Sequence, residues 1–253
     1  MEEKLKVLKK TLEDSGLMAN FSFDTLNNCL IIKKFNWDYL DCLKYQEILV
    51  ELVYKTEYQD CSIFIFTNHP SCLTLGRGLQ RRQGDAIDLV DFNPDLISKI
   101  ELPVFNIKRG GGITFHHPGQ IVIYPIINLS FNKMKVYTMM NNLLSTISSV
   151  FRQQGITGLD YCRDLLGMWF GDKKIASIGV QVRRFVSFHG VAVNLKDDIE
   201  IQKVMNFIFP CGLPGNWYSS IKKEFDIDIV PENFSDDFCS DLKSLFSKDC
   251  LIR

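Results

Sequence analysis

The sequence predicts an α+β domain built on a mixed β-sheet. Three observations carry that expectation. Short apolar runs bounded by Gly, Pro, Asn or Ser recur along the chain, which is the pattern of buried strands. Two longer segments repeat their apolar residues at helical spacing. Strands and helices mix without the regular strand–helix–strand beat of a parallel sheet, which leaves a mixed one. At 253 residues the chain can form one large domain or two small ones with ample core. It has no repeat, low-complexity segment or linker, so residues 29–253 are expected to form a single domain and residues 1–28 an N-terminal extension.

Taken in order, the elements read as follows. The start, "MEEKLKVLKKTLEDSGL", sets its leucines along a short amphipathic helix. Asp38 caps a helix running to about residue 55, with Cys42, Tyr45, Leu49 and Val53 on one stripe. "CSIFIFTN" (61–68) is a buried strand ended by "HPSC". "VFNIK" and "IVIYPIINL" are two more strands, and between them runs "RGGGITFHHPGQ", Arg109 to Gln120. Met134 to Gln154 is the clearest helix, with Val136, Met140, Leu143, Ile147 and Val150 on one face and Gly155 to end it. "LLGMWF", "KIASIGVQVR" and "SFHGVAVNL" follow as strands, the last two as a hairpin. Ser235, Asp236 and Asp237 suit the N-terminus of a last helix to about Ser247, with Phe238, Leu242 and Leu245 inward.

Charge and composition exclude several function classes. The formal net charge is −1, so no global field draws the chain to nucleic acid or to an anionic membrane. No apolar run reaches the roughly 18 residues a membrane span needs. The N-terminus has no apolar signal core and is too acidic for an organellar presequence, so a cytoplasmic protein is expected. Eight cysteines are present, with no CxxC pair and no histidines at zinc-finger spacing. They are therefore expected to be thiols in a reducing compartment, most of them small core residues, with no metal site.

The stretch from Arg109 to Gln120 carries the chemistry. Its glycines let the backbone approach a ligand closely, and consecutive amides there can form a nest for an anion or an oxyanion. Arg109 adds a charged fork, and Thr114 and His116 add side-chain donors. A plain glycine-rich hairpin accounts for "GGG" but not for "HHPGQ". The four histidines, His69, His116, His117 and His189, all fall outside helical segments. His69 reads equally well as a core residue; His116, bracketed by glycines, reads as functional.

These residues bring a family into view. "RGGGITFHHPGQIVIYPIINL" resembles the "RGG-x-x-T-Y-H-G-P-G-Q" segment of the octanoyltransferases of lipoate biosynthesis, the lipoyl(octanoyl) transferase family. "NHPSCLTLGR" (68–77) resembles its "HP-x-x-T-L-G-R", "GMWFGDKKIASIGVQVRR" (167–184) its "K-I-A-S/A-I-G-V-x-V" region, and "SFHGVAVNL" followed by "PCG" (210–212) its "HG-x-A-[LI]-N…PCG". The likeness covers roughly residues 30–225. His117 stands where the family has glycine, and Phe115 where it has tyrosine.

The resemblance implies the fold of biotin and lipoate protein ligases, a mixed sheet flanked by helices with the ligand in a pocket over it. It implies transfer of an octanoyl group from acyl carrier protein to a lysine of the lipoyl domains of 2-oxoacid dehydrogenase complexes and of the glycine cleavage H protein, without a cofactor. It makes Cys211 the acylated nucleophile and Lys174 the residue that lowers its pKa. It places Arg109, Gly110, Gly111, Gly112, Ile113, Thr114, Phe115 and His116 on the acyl group, with Ser177, Ile178, Gly179, Gly190, Val191 and Ala192.

The chemistry is coherent on its own. A thiol of pKa about 8.5 is mostly protonated at neutral pH, and the thiolate is the nucleophile. An ammonium about 4 Å away favours the thiolate by up to about 4 kcal/mol at an effective dielectric near 20. Thioester exchange is nearly isoenergetic and aminolysis is downhill, so no ATP is needed. Other readings stand beside this one. Cys211 taken alone reads as a buried thiol after a turn proline, and Lys174 as a solvated lysine like Lys173. Arg77, Arg81 and Arg82 read first as a solvated loop and second as a contact for an acidic carrier protein. An ATP-dependent lipoate or biotin ligase shares the glycine-rich loop but does not need the cysteine. A silent acyl- or lipoyl-domain-binding protein needs neither Cys211 nor Lys174. His117 is expected to sit in the extended geometry that Pro118 imposes, turned outward from the pocket that His116 faces.

Overall fold

The computed structural model of the chain describes residues 2–14, 16, 20–24, 29–55, 57–77, 101–162, 167–197 and 217–242. Its frame is an eight-stranded sheet. In spatial order the strands are β1 (Asn20–Asp24), β2 (Cys29–Lys33), β3 (Ser62–Thr67), β7 (Gln120–Ile126), β11 (Val186–Asn194), β10 (Lys173–Arg183), β9 (Gly167–Phe170) and β8 (Leu159–Cys162). Only β2 and β3 run parallel among these neighbours; the rest are antiparallel, so the sheet is mixed as expected. A second sheet of three strands, β5 (Val104–Asn106), β4 (Cys72–Leu75) and β6 (Ile113–His116), carries the glycine-rich segment.

Side chains alternate along a strand, so the large sheet divides the core into two layers. Phe64 and Phe66 of β3 and Ile121 and Ile123 of β7 face one layer, shared with α3 (Val136–Gln153) and α5 (Pro231–Ser240). Ile63, Ile65, Val122, Tyr124 and Ile126 face the other, shared with α1 (Glu2–Asp14) and α2 (Tyr39–Tyr54). Leu8 and Leu12 bring α1 into that layer, and β1 adds an edge strand beside β2. A short helix, α4 (Ile221–Phe225), buries Ile221 in the first layer. With both faces covered, all six residues of β3 are buried, which explains its unbroken apolar run.

Local chemistry sets the helix ends. Asp38 accepts a hydrogen bond from the Asp41 amide at 3.1 Å, an N-cap worth about 1 kcal/mol, and Cys42, Tyr45, Leu49 and Val53 form the buried stripe of α2. Gly155 follows α3 at φ 81°, the left-handed position where glycine is cheapest. The first turn of α3 is exposed, Val136 included at 37%, and the inward stripe starts instead at Met139. The last helix starts at Pro231, earlier than Ser235: proline's missing donor costs nothing at a first helical position. Ser235 is buried, its hydroxyl donating to the Glu232 carbonyl, while Asp236 and Asp237 are engaged by Lys33 and Gln154. Phe238 and Leu242 point inward as expected; Leu245 lies outside the described residues. The β10–β11 hairpin turns through Arg184 and Phe185, both at positive φ, the conformation of a tight hairpin turn but without its usual Asn-Gly signature. No helix among the described residues is long and apolar enough to cross a membrane.

Candidate active site

The glycine-rich segment is held from three sides. The Gly110 amide donates to the Val180 carbonyl of β10, and the Gly76 amide after β4 donates to the Gly112 carbonyl. The chains approach so closely that a Cβ on Gly76 would lie 2.4 Å from the Gly111 oxygen, and one on Gly179 would lie 2.9 Å from the Gly110 oxygen. Arg109 is buried and spends its guanidinium inside the protein. Nη2 donates to the Thr74 carbonyl at 3.0 Å and to the Thr74 and Thr114 hydroxyls at 2.8 Å each; Nη1 donates to the Gly110 carbonyl at 2.9 Å. The charged fork expected to meet a ligand is therefore first a brace tying β4, the loop and β6 together.

That brace borders a small pocket, about 270 Å³ of space counted together with the open solvent at its mouth. Arg109, Thr114 and His116 line one wall, Ser177 and Gly179 a second, and Gly190, Val191 and Ala192 a third. Eight of the residues selected from sequence thus converge on one space. Gly110, Gly111 and Gly112 build the loop beside it, Ile113 and Ile178 are core residues behind it, and Phe115 faces a neighbouring cavity. Tyr39, Val122, Tyr124 and His189 also line the space and were not selected. Tyr39 opens α2 directly after its cap, Tyr124 is the polar interruption of "IVIYPII", and His189 adjoins Gly190; each carried a signal of a polar group at a buried strand or helix position.

Hydrogen bonding fixes how the histidines are protonated. The Gln120 amide nitrogen donates to the Phe115 carbonyl and to Asn194 Oδ1, so its oxygen accepts from His116 Nδ1 at 3.2 Å. Asn194 in turn donates to the Ser219 carbonyl. His116 therefore carries its proton on Nδ1, and burial, with His69 and Arg109 nearby, holds its pKa well below the usual range. Its donor goes to Gln120 and the other nitrogen keeps its lone pair. His69 is a core residue with a role. It donates from Nδ1 to the Trp37 carbonyl at 2.7 Å and accepts from the Tyr124 hydroxyl at 2.9 Å, and burial pushes its pKa down to about 4. His189 sits at φ 55° in the strand. Its amide is taken by Gln46 Oε1 from α2, its Nδ1 meets no hydrogen-bond partner among the described residues, and burial pushes its pKa down to about 3.

Lys174 is fully buried, unlike the solvated lysine it was weighed against. A register shift between Lys174 and Ala176 makes a bulge in β10. Ile175 and Ala176 both enter the core, so Lys174 joins Ser177 and Gly179 on the opposite side. Gly167 makes room for it: a Cβ there would lie 2.7 Å from Lys174 Cε and 2.1 Å from the Ala176 oxygen. The ammonium lies 5.5 Å from the Trp169 ring centre and 5.7 Å from that of Tyr218, and the Lys174 carbonyl accepts from the Ser219 amide. Lys173, by contrast, pairs at the surface with Asp172. Cys211, with the rest of "PCG", lies outside the described residues, as do Arg81 and Arg82. Cys42, Cys61 and Cys72 are core thiols as expected; burial raises the pKa of each, Cys61 to about 11 and Cys72 to about 12.

A second cavity, of about 370 Å³, adjoins the first and shares Thr114 and Ser177 with it. His117 lines it, which corrects the expectation of an outward histidine. It avoids the first cavity and positive φ, as Pro118 requires, but it is fully buried. It stacks on Phe115 at 5.5 Å and accepts the Gly119 amide at Nδ1.

The geometry can be set beside known proteins. A model of the lipoyl protein ligase A/B catalytic domain matches residues 38–243. An octanoyltransferase of Desulfotalea psychrophila is 34% identical over 192 residues, covering 75% of this chain and 81% of the relative. One from Nostoc sp. is 31% identical over 188 residues, covering 74% and 78%. Among solved structures, lipoate-protein ligase A bound with ATP superposes with a TM-score of 0.59 at 13% identity, over 86% of this chain and 84% of that one. A structure from the archaeal lipoylation system of Thermoplasma acidophilum, described as a bipartite lipoate protein ligase and its E2 lipoyl domain, gives 0.55 at 14% identity, over 80% and 79%.

Proposed function

Because the chain belongs to the lipoyl protein ligase A/B family and its near relatives are octanoyltransferases, we propose that its two cavities and buried lysine work as follows. The protein is an acyltransferase of lipoate biosynthesis, and its acceptors are lipoyl domains. The acyl donor is octanoyl acyl carrier protein, and Cys211 carries the octanoyl group between the two. Residues 29–253 form the acyltransferase domain. The observation that carries this reading is Lys174, fully buried on the side of β10 that also presents Ser177 and Gly179 to the first cavity, and close to the Tyr218 ring that lines the second.

In the first half-reaction the Cys211 thiolate attacks the donor carbonyl. The carrier's thiolate leaves and takes a proton from the Lys174 ammonium. In the second, the acceptor's neutral amine attacks the Cys211 thioester; the C–N bond forms, the C–S bond breaks, and the amine's proton returns to Lys174. An acceptor arriving as ammonium first loses one proton to solvent. The octanoyl chain lies in the first cavity, its carbonyl at Thr114 and Ser177 and its far end toward Tyr39, Tyr124 and His189. A buried ammonium is stabilised by an anion beside it, and a thiolate is such an anion.

Kinetics test this reading against an ATP-dependent ligase. Transfer from octanoyl acyl carrier protein to a lipoyl domain is expected without nucleotide and with parallel-line, ping-pong kinetics. Activity only with ATP and free octanoate would overturn it.

A further inference from the structure

The second cavity differs in chemistry from the first. Phe115 and Tyr218 stand on it as aromatic walls, Thr114, Ser177 and Ser219 supply hydroxyls, and Asp197 supplies a carboxylate. Thr114 and Ser177 are shared with the first cavity, but the carboxylate is not. Most of the other polar groups are already engaged: Asn194 with Gln120 and Ser219, and the Ser219 hydroxyl donating to Glu224. Asp197 is different. It is exposed, three residues after the end of β11, and no ion pair with it is found among the described residues. Its neighbour Lys196 is turned to Asp228 at 2.7 Å and does not neutralise it.

We infer that this second cavity is the binding site for the acceptor's lysine side chain, with Asp197 drawing in the ammonium and the Phe115 and Tyr218 rings flanking its methylene stem. The inference rests on the octanoyl-transfer reading above and adds where the amine is held. Three features select a primary ammonium on an alkyl stem. A carboxylate at an exposed position attracts a cation, aromatic faces favour both a cation and its methylenes, and the inner end opens on Thr114 and Ser177, which border the acyl cavity. An amine entering this way arrives where the octanoyl carbonyl is proposed to lie. Tyr218 also touches Lys174 by its ring, so the lysine that must receive the amine's proton is one side chain away.

The test separates the two half-reactions and uses the full chain. Octanoyl-enzyme is first made from octanoyl acyl carrier protein and then challenged with a lipoyl domain or with hydroxylamine, which is neutral at pH 7.5. Asp197→Asn is expected to raise KM for the lipoyl domain about two- to five-fold, the scale of an exposed ion pair, and Asp197→Lys more than ten-fold. Rising salt should weaken the wild type toward Asp197→Asn and leave that variant nearly flat. Cleavage by hydroxylamine should keep its wild-type rate in both variants. Unchanged lipoyl-domain kinetics in Asp197→Lys, or equal slowing with hydroxylamine, would overturn the inference. Failure to form any octanoyl-enzyme would overturn the transfer reading itself, a distinct result.

Discussion

Acidification should unfold this protein earlier than its surface charges would. An ordinary histidine titrates near pH 6.5. Burial pushes His69 to about 4 and His189 to about 3, and holds His116 well below the ordinary value. At pH 5 His69 and His189 are neutral in the folded chain and mostly protonated in the unfolded one, and the shift of His116 has the same sign. The unfolded state then binds more protons, so stability is full above about pH 6.5. It is lost as pH falls through the window down to about 4 for His69 and about 3 for His189. At pH 5 the neutral His69 and His189 each cost roughly 2 kcal/mol, about 4 together, and His116 acts in the same direction, against a typical domain stability of about 5–15 kcal/mol. The paired surface carboxylates Asp226 and Asp228 act near and below about 3.8, under the range from pH 7.5 to 5 over which the loss is read. Urea unfolding followed by tryptophan fluorescence at pH 7.5, 6 and 5 measures the loss. His69→Gln removes one titrating group and should shrink the drop between pH 7.5 and 5 by about 2 kcal/mol, whatever it costs at pH 7.5. A drop below about 1 kcal/mol in the wild type, or the same drop in His69→Gln, would mean that these rings are protonated in the fold and the hydrogen-bond assignments are wrong.

Other expectations concern the reacting lysine and its surroundings. Gly167→Ala sets a methyl against the Ala176 oxygen and Lys174 Cε; overpacking of that kind costs about 1–3 kcal/mol, seen as a lower Tm, and acylation should slow with it. Lys174→Met should raise the pH midpoint of Cys211 alkylation by about one to three units, while Lys173→Ala, at the surface with Asp172, should leave it in place. A similar shift from both lysines would point to general charge rather than to position. His117→Gly should alter KM for the lipoyl domain and leave acyl-chain preference unchanged, because His117 lines the second cavity only; a shift toward longer chains would put it in the first.

Much of this architecture could be read from the sequence because the signals were local. The Asp38 cap, the unbroken run of β3, the α3 stripe from Leu143 to Val150 and the glycine loop each depend on neighbours in sequence. What escaped depends on contacts distant in sequence. Arg109 looked like a free fork until Thr74, 35 residues away, was seen to accept from it. His69 and His189 became intelligible only with Trp37, Tyr124 and Gln46 beside them. The start of α5 was misplaced because Ser235 and its aspartates imitate a cap, while Pro231 opens the helix and Ser235 is buried. His117 fits the geometry expected before a proline, but the direction of its ring is set by Phe115 and Gly119 packing around it.

The most direct test of the account is intact mass after incubation with octanoyl acyl carrier protein in the absence of ATP. One octanoyl group should be added per chain, be released by hydroxylamine, map to Cys211, and be missing in Cys211→Ser. No added mass, or an octanoyl group on another cysteine such as the half-buried Cys239, would contradict it.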